Sequence, residues 1–329
     1  QENSAAPQAQ ELAAKEAVFL QGTRQLIFEG KRSGESYFSQ DGRYLVFQSE
    51  READNPFYQI YLMDLETGDV ERVSPGMGKT TCAWIHPGND LVMYASTHSD
   101  PESRNLQQAE LDFRASGKER RYAWDYDRNF EIYAYSRSKG ENTRLTFAPG
   151  YDAEGSYSPD GEWSCFSSNR AAFLEPLSEE DEKRFEVDQS LFLDLYMMRA
   201  DGSDARRRTF ARGYDGGPFF SADGKSICWR RCNEEGTLAE IWTMDVDGSN
   251  KRQLTAIGAM SWAPYFHPSG EYLIFTTNRH GFANFELYLV DSQGAREPVR
   301  VTYTNGFDGL PVFSPDGNRL AFTSVRTED

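Results

Sequence analysis

The chain has 329 residues, and its 52 Asp and Glu outnumber 35 Lys and Arg to give a formal charge of −17. Such a surface repels phosphate backbones and anionic lipid, which argues against nucleic acid as a partner. No apolar run approaches the roughly 20 residues of a membrane span, so no membrane insertion is expected, and one large all-β domain accommodates the length.

Residues 1–10 are small and polar, as a linker just beyond a removed export signal would be, and residues 11–20 are rich in Ala, Glu, Lys and Leu. Residues 1–20 are therefore set apart as a tail or short helix, and 21–329 as the folded domain. From Tyr37 onward one phrase recurs: an aromatic residue, a Ser-Pro-Asp-Gly-like turn, then an apolar strand. It stands at Ser39-Gln40-Asp41-Gly42, Ser158-Pro159-Asp160-Gly161, Ser221-Ala222-Asp223-Gly224 and Ser314-Pro315-Asp316-Gly317, with variants at His86-Pro87 and His267-Pro268. Alternating apolar residues on both sides of turn chemistry describe a hairpin. A second phrase follows most copies, as in Gln59-Ile60-Tyr61-Leu62-Met63-Asp64 and Glu286-Leu287-Tyr288-Leu289-Val290-Asp291, and then a short fourth strand such as Arg252-Gln253-Leu254-Thr255.

Six copies of four strands at a period of about 45 residues predict an all-β fold, a six-bladed β-propeller of four-stranded antiparallel blades. Arg24-Gln25-Leu26-Ile27-Phe28 repeats the fourth-strand phrase before any blade has begun. It predicts a ring closed by an N-terminal strand that completes the last blade. No third-strand phrase follows Arg326. Either Ala17-Val18-Phe19-Leu20 takes that place or the natural chain continues, and continuation is the preferred expectation.

Both long insertions follow second strands, at about residues 99–128 and 171–189. The first carries Tyr122, Trp124 and Tyr126, aromatic anchors for a partner; the second reads Ser178-Glu179-Glu180-Asp181, an N-cap and acidic first turn of a surface helix. Strand alternation places both on the face where first strands enter the channel. Near that mouth a ring of Ser33, Thr80, Asp152, Asp215, Ser261 and Asp308 is expected, each six residues before its turn serine or histidine. Asp152, Asp215 and Asp308 are candidate ligand-binding residues, and with the hydroxyls they offer oxygen donors suited to Ca²⁺. Pairing of these acids with Arg51, Arg170, Arg279 and Arg326 between blades is the preferred alternative, so no cofactor is expected. The four histidines are scattered over separate repeats, and no Gly-x-Ser-x-Gly elbow or Cys-x-x-Cys spacing occurs. Cys82, Cys165, Cys228 and Cys232, the last placed just beyond a second strand, read as unpaired buried thiols.

The aromatic, Ser-Pro-Asp-Gly, Ser-Asn-Arg and Ile-Tyr-x-Met-Asp pattern resembles the TolB-like propeller family over nearly the whole chain from about Thr23. The resemblance implies an exported, periplasmic, non-catalytic module that binds a protein or peptide, and a monomer is expected. It equally allows two enzyme-class alternatives. One is the propeller domain of a peptidase whose catalytic part lies elsewhere, and the other is a lyase- or lactonase-type propeller with a channel metal.

Overall fold

The structure, a computed structural model, describes residues 5–119 and 126–326. Blade 1 holds β1 (Arg32–Phe38), β2 (Tyr44–Glu50), β3 (Gln59–Asp64) and β4 (Val70–Arg72); blade 2 holds β5 (Thr80–Ile85), β6 (Leu91–Ser96), β7 (Glu131–Ser136) and β8 (Glu141–Arg144). Blade 3 holds β9 (Asp152–Tyr157), β10 (Trp163–Ser168), β11 (Asp194–Arg199) and β12 (Arg206–Arg207). Blade 4 holds β13 (Asp215–Phe220), β14 (Ser226–Cys232), β15 (Ala239–Asp245) and β16 (Arg252–Gln253). Blade 5 holds β17 (Ser261–Phe266), β18 (Tyr272–Thr277), β19 (Glu286–Asp291) and β20 (Val299–Arg300). A sixth sheet consists of β21 (Asp308–Phe313) and β22 (Leu320–Ser324) alone.

The expectation of six four-stranded blades is thus corrected to five, followed by a two-stranded sheet. The expected closing strand is corrected too: residues 23–28 belong to no strand. A fourth strand needs a third strand to pair with, and beside residues 23–28 no third strand is present among the described residues. The first strands contact one another around the ring, and β1 meets β21 and β22. That last seam is crossed by side chains. Glu35 N–H donates across it to Thr323 Oγ1 at 3.0 Å; α1 (Ala5–Glu16), ahead of blade 1, is held to the other side, where Glu16 is joined to Arg326 and accepts the Tyr303 N–H at 3.0 Å.

The recurrent serine is a turn device. Ser158 Oγ accepts the Trp163 N–H at 3.0 Å, Asp160 accepts the Glu162 N–H at 3.0 Å, and Gly161 takes φ 74°. His86 and His267 stand in the serine's place and accept with Nδ1 the N–H two residues on, from Gly88 at 3.0 Å and Ser269 at 3.1 Å. Their Nε2 atoms reach the carbonyls of Gly161 and Gly317 in the next blade, at 3.1 and 3.3 Å. In blade 1 the second and third strands are buried on both faces because the blade is stacked between two others, while β4 is wholly exposed; β22 of the last sheet is only half-buried. The core therefore lies between blades, as in the cluster of Cys165, Leu195, Met197, Ile227, Trp229 and Met244. All four cysteines are buried free thiols, and Cys232 is the last residue of β14 rather than beyond it.

Both insertions are helical. In the first, α2 (Ser103–Ala115) docks on blade 1 through Arg114, which reaches Glu50 at 2.6 Å and the Pro56 carbonyl at 2.8 Å. In the second, α3 (Ala171–Leu174) precedes α4 (Glu179–Val187), whose Asp181 N–H is capped by Ser178 at 3.1 Å. No described helix is long and apolar enough to cross a membrane.

Candidate functional site

Every first strand breaks at its equivalent residue. Glu35, Cys82, Glu154, Gly217, Ala263 and Leu310 all have φ between 45° and 62°, and the β-ladder slips register beside each. Five of the six are not glycine, although left-handed backbone costs roughly 1–2 kcal/mol for an ordinary residue. At three of them, Glu35, Gly217 and Leu310, the N–H released from the ladder reaches a neighbouring blade. Besides the Glu35 bond across the seam, Leu310 N–H donates to Thr276 Oγ1 at 3.2 Å and Gly217 N–H to Glu154 Oε2 at 2.6 Å.

These six residues give the ring two chemical halves. Blades 1 to 3 contribute Glu35, Cys82 and Glu154, and the remaining sheets contribute Gly217, Ala263 and Leu310. Glu154 is the hub: its carboxylate accepts from the Tyr214 hydroxyl, from Arg230 Nη2 at 3.1 and 3.3 Å, and from Ser167 Oγ at 3.3 Å. Glu35 has a weaker setting, with the Tyr37 hydroxyl donating at 3.1 Å. Burial, helped by the nearby charge of Glu154, pushes the Glu35 carboxyl up to about 7 from 4.5. Burial also pushes the Cys82 thiol well above its usual range, which keeps it a thiol.

A stability consequence follows for Glu35. Below about pH 4.5 both folded and unfolded forms are protonated there; between 4.5 and 7 the folded form holds more protons, so stability falls as pH rises and stays reduced above 7. Glu35→Gln is expected to leave stability unchanged at pH 4 and raise it by about 1–3 kcal/mol at pH 8, the upper end being reduced by channel water. Urea midpoints across this range would show it, and parallel curves for the two proteins would reject it.

Asp152, Asp215 and Asp308 sit at the starts of their first strands, but each is buried and occupied within its own blade. Arg170 meets Asp152 at 2.6 Å, Arg326 meets Asp308 at 2.6 Å, and Arg231 grips both oxygens of Asp215 at 2.7 Å. Pairing between blades is therefore corrected to pairing within them, and the partner of Asp215 is Arg231. Arg51 instead meets Glu29 at 3.2 Å. Among the described residues no three His, Cys, Asp or Glu side chains gather as a metal-type group. Tyr122 and Trp124 lie outside the described residues. Tyr126 is half-buried, edge-on to Tyr151 and Tyr214 beside the Glu154 hub.

The hub itself escapes a reading based on repeats. Its position varies from blade to blade, and Arg230 is the lone cation in the column Gln48, Ala95, Ser167, Arg230, Thr276 and Thr323. That break in the column was its one signal.

The surface around the mouth has its own pattern. Beyond residue 28, the described exposed large apolar side chains are Val70, Leu106, Phe147, Leu174, Val187, Phe210, Leu238, Phe282, Val299 and Val325. Val70 and Val299 lie on fourth strands; all the others lie in segments that leave second or fourth strands, which open on a single face. The acids of α4 share that face, where Arg212 partly neutralises them through Glu180 and Asp181, each at 3.3 Å.

No family model matches the chain. It is 28% identical over 139 residues to an uncharacterised Agrobacterium fabrum protein, covering 42% of this chain and 41% of that one. Over 41 residues it is 54% identical to a TolB homologue of Chlorobium chlorochromatii, 12% of this chain and 9% of that protein. The match thus spans less than half the length of these curated relatives. Among solved structures, an Agrobacterium tumefaciens protein described as a TolB superposes with a TM-score of 0.63 at 21% identity, covering 92% of this chain and 94% of the other. TolB of Acinetobacter baumannii gives 0.60 at 18% identity, covering 86% and 57%. An oligogalacturonate lyase in complex with manganese gives 0.52 at 14% identity, covering 89% and 86%.

Proposed function

We propose that this TolB-like β-propeller is an exported, non-catalytic module that binds a protein or peptide partner on its loop-rich face. The observation that carries the reading is that eight of the ten exposed large apolar side chains described beyond residue 28 lie in segments opening on that face, against short polar turns on the other. Phe210 at 69% exposure and Val187 at 86% are anchors of the kind that bury on association. The acidic α4 beside them favours a partner with basic groups and speeds its approach in a salt-sensitive way. Asp152, Asp215 and Asp308 then act as the rigid frame of the mouth, each held by its own arginine.

A photoreactive residue placed at Phe210, on the loop-rich face, and separately at Asn318, on the turn face, tests this in cells. A discrete adduct from position 210 and none from position 318 is expected. Adducts from position 318, or from neither, would overturn the assignment of the face.

A further inference from the structure

The fourth strands of blades 2, 3 and 5 run out into one repeated phrase: Arg144-Leu145-Thr146-Phe147, Arg207-Arg208-Thr209-Phe210 and Arg300-Val301-Thr302-Tyr303. In each, three groups fix the guanidinium. It donates to the threonine carbonyl, at 2.8, 3.0 and 2.7 Å, and pairs with the buried acid that opens the third strand, Glu131, Asp194 or Glu286. Its carbon lies over the aromatic ring that follows, 4.8, 4.7 and 4.4 Å from the ring centre. A ring seated on a fixed cation keeps its place while exposed, so covering it with a partner costs little side-chain entropy. Phe147 and Phe210 are exposed in this way, whereas Tyr303 is half-buried beside the end of α1, where its N–H donates to Glu16.

Blade 3 adds a second acid. Arg207 meets Glu175 at 3.6 Å, while Arg144 and Arg300 meet only their third-strand acids among the described residues. Glu175 begins the extended stretch between α3 and α4, and its sequence neighbours Leu174 and Pro176 are both exposed. Arg207 therefore joins the Phe210 ring on one side to an apolar pair flanking an acid on the other. Glu175 is the loose member of this bridge. Asp194 is buried and holds Arg207 at 2.5 Å and the Thr209 hydroxyl at 3.1 Å, whereas the Glu175 side chain, 65% exposed, has the one contact at 3.6 Å among the described residues. So exposed a pair is worth at most about 1 kcal/mol, and a cation from outside displaces it readily. Arg212, two residues beyond Phe210, is engaged elsewhere, by Glu180 and Asp181 at 3.3 Å and Glu234 at 3.7 Å.

Taking the loop-rich face as a partner site, we propose that Phe210, Leu174, Pro176 and Glu175 are its specificity-determining point. It takes a protein segment in which an apolar side chain stands next to a Lys or Arg. The apolar side chain covers Leu174 and the face of the Phe210 ring turned away from Arg207. The cation beside it takes Glu175 in place of the loose contact. Arg207, locked by Asp194, is a positioning residue that holds the ring for this contact. A charge of −17 draws cations of every kind to the surface, so what this point adds is the demand for an apolar neighbour. Phe147 has the same seat without the second acid and makes no such choice.

The test selects a random heptapeptide library, displayed on phage, against the full chain. Enrichment of an apolar residue next to Lys or Arg is expected. A synthetic peptide of the enriched sequence should bind Phe210→Ser and Glu175→Lys about fivefold more weakly and Phe147→Ser unchanged, with all three exposed variants melting as the native protein does. Exchanging the peptide's cation for Glu should restore its binding to Glu175→Lys. Arg207→Lys keeps the charge facing Asp194 but removes the flat seat, and should weaken binding; should it not fold, Phe210→Leu, apolar but without a ring to be seated, reads the same step. An enriched motif lacking the cation or its apolar neighbour, no enrichment, equal losses from Phe147→Ser and Phe210→Ser, or no rescue by charge exchange would each overturn the proposal. A photoadduct from position 210 in cells alongside any of these would keep the face as a partner site and remove only this account of what it selects.

Discussion

Replacing Glu154 by Gln is expected to destabilise the protein by about 3–5 kcal/mol, the cost of leaving a buried charge without its partner. The carboxylate takes donors from Tyr214, Arg230, Ser167 and the Gly217 N–H, so no lone pair is idle. An amide in its place turns an NH₂ toward at least one of these donors and leaves the Arg230 guanidinium uncompensated. Pairing Glu154→Gln with Arg230→Met should recover much of the loss, because an apolar side chain carries no stranded charge. The single variant also removes the negative charge that raises the Glu35 carboxyl, so that group should titrate lower. Urea denaturation of the two variants checks the first claim, and carboxyl titration by NMR the second. A single variant within 1 kcal/mol of the native protein would show that the hub is not a stabilising unit.

Trp229→Ala should cost a comparable amount, about 3–5 kcal/mol, by opening a void between blades 3 and 4. The indole is fully buried among Cys165, Leu195, Met197, Ile227 and Met244, and its N–H donates to Asp215 at 2.9 Å. Trp229→Phe keeps most of the volume and removes that donor. Since Asp215 retains both contacts from Arg231, the milder variant should lose only about 1–2 kcal/mol. Equal losses from the two substitutions would mean that the hydrogen bond, rather than the filled space, governs this position.

Legibility in the sequence divides along physical lines. Hairpins and middle strands could be read because each copy of a blade faces the same two neighbours, so burial imposes the same alternation every time. The Ser178 cap and acidic turn of α4 were equally local and equally readable. The fourth-strand phrase at residues 24–27 misled, because it dictates a local shape, visible in the Gln25 to Ile27 bond, whereas a ladder needs a neighbour that no phrase can supply. α2 was hidden for a different reason: its stability comes from Arg114 and from Gln107, which reaches the Asp54 carbonyl at 2.6 Å, contacts with a loop 53 residues earlier in the chain. The channel chemistry was least accessible, since left-handed bulges at Glu35, Cys82 and Glu154 leave no mark in periodicity.

The seam between blade 1 and the last sheet gives the ring a mechanical weak link. Neighbouring strands within a blade share tension over rows of backbone hydrogen bonds, so they resist shear together. The direct hydrogen bond from blade 1 to the last sheet is Glu35 to Thr323, and α1, at the head of the segment that leads into blade 1, is tied to the last sheet by Glu16 on the Arg326 guanidinium. Such a joint gives way at one point and is softened by salt, while the blades on either side keep their ladders. The propeller is in this respect a strap with a clasp, and the clasp is ionic.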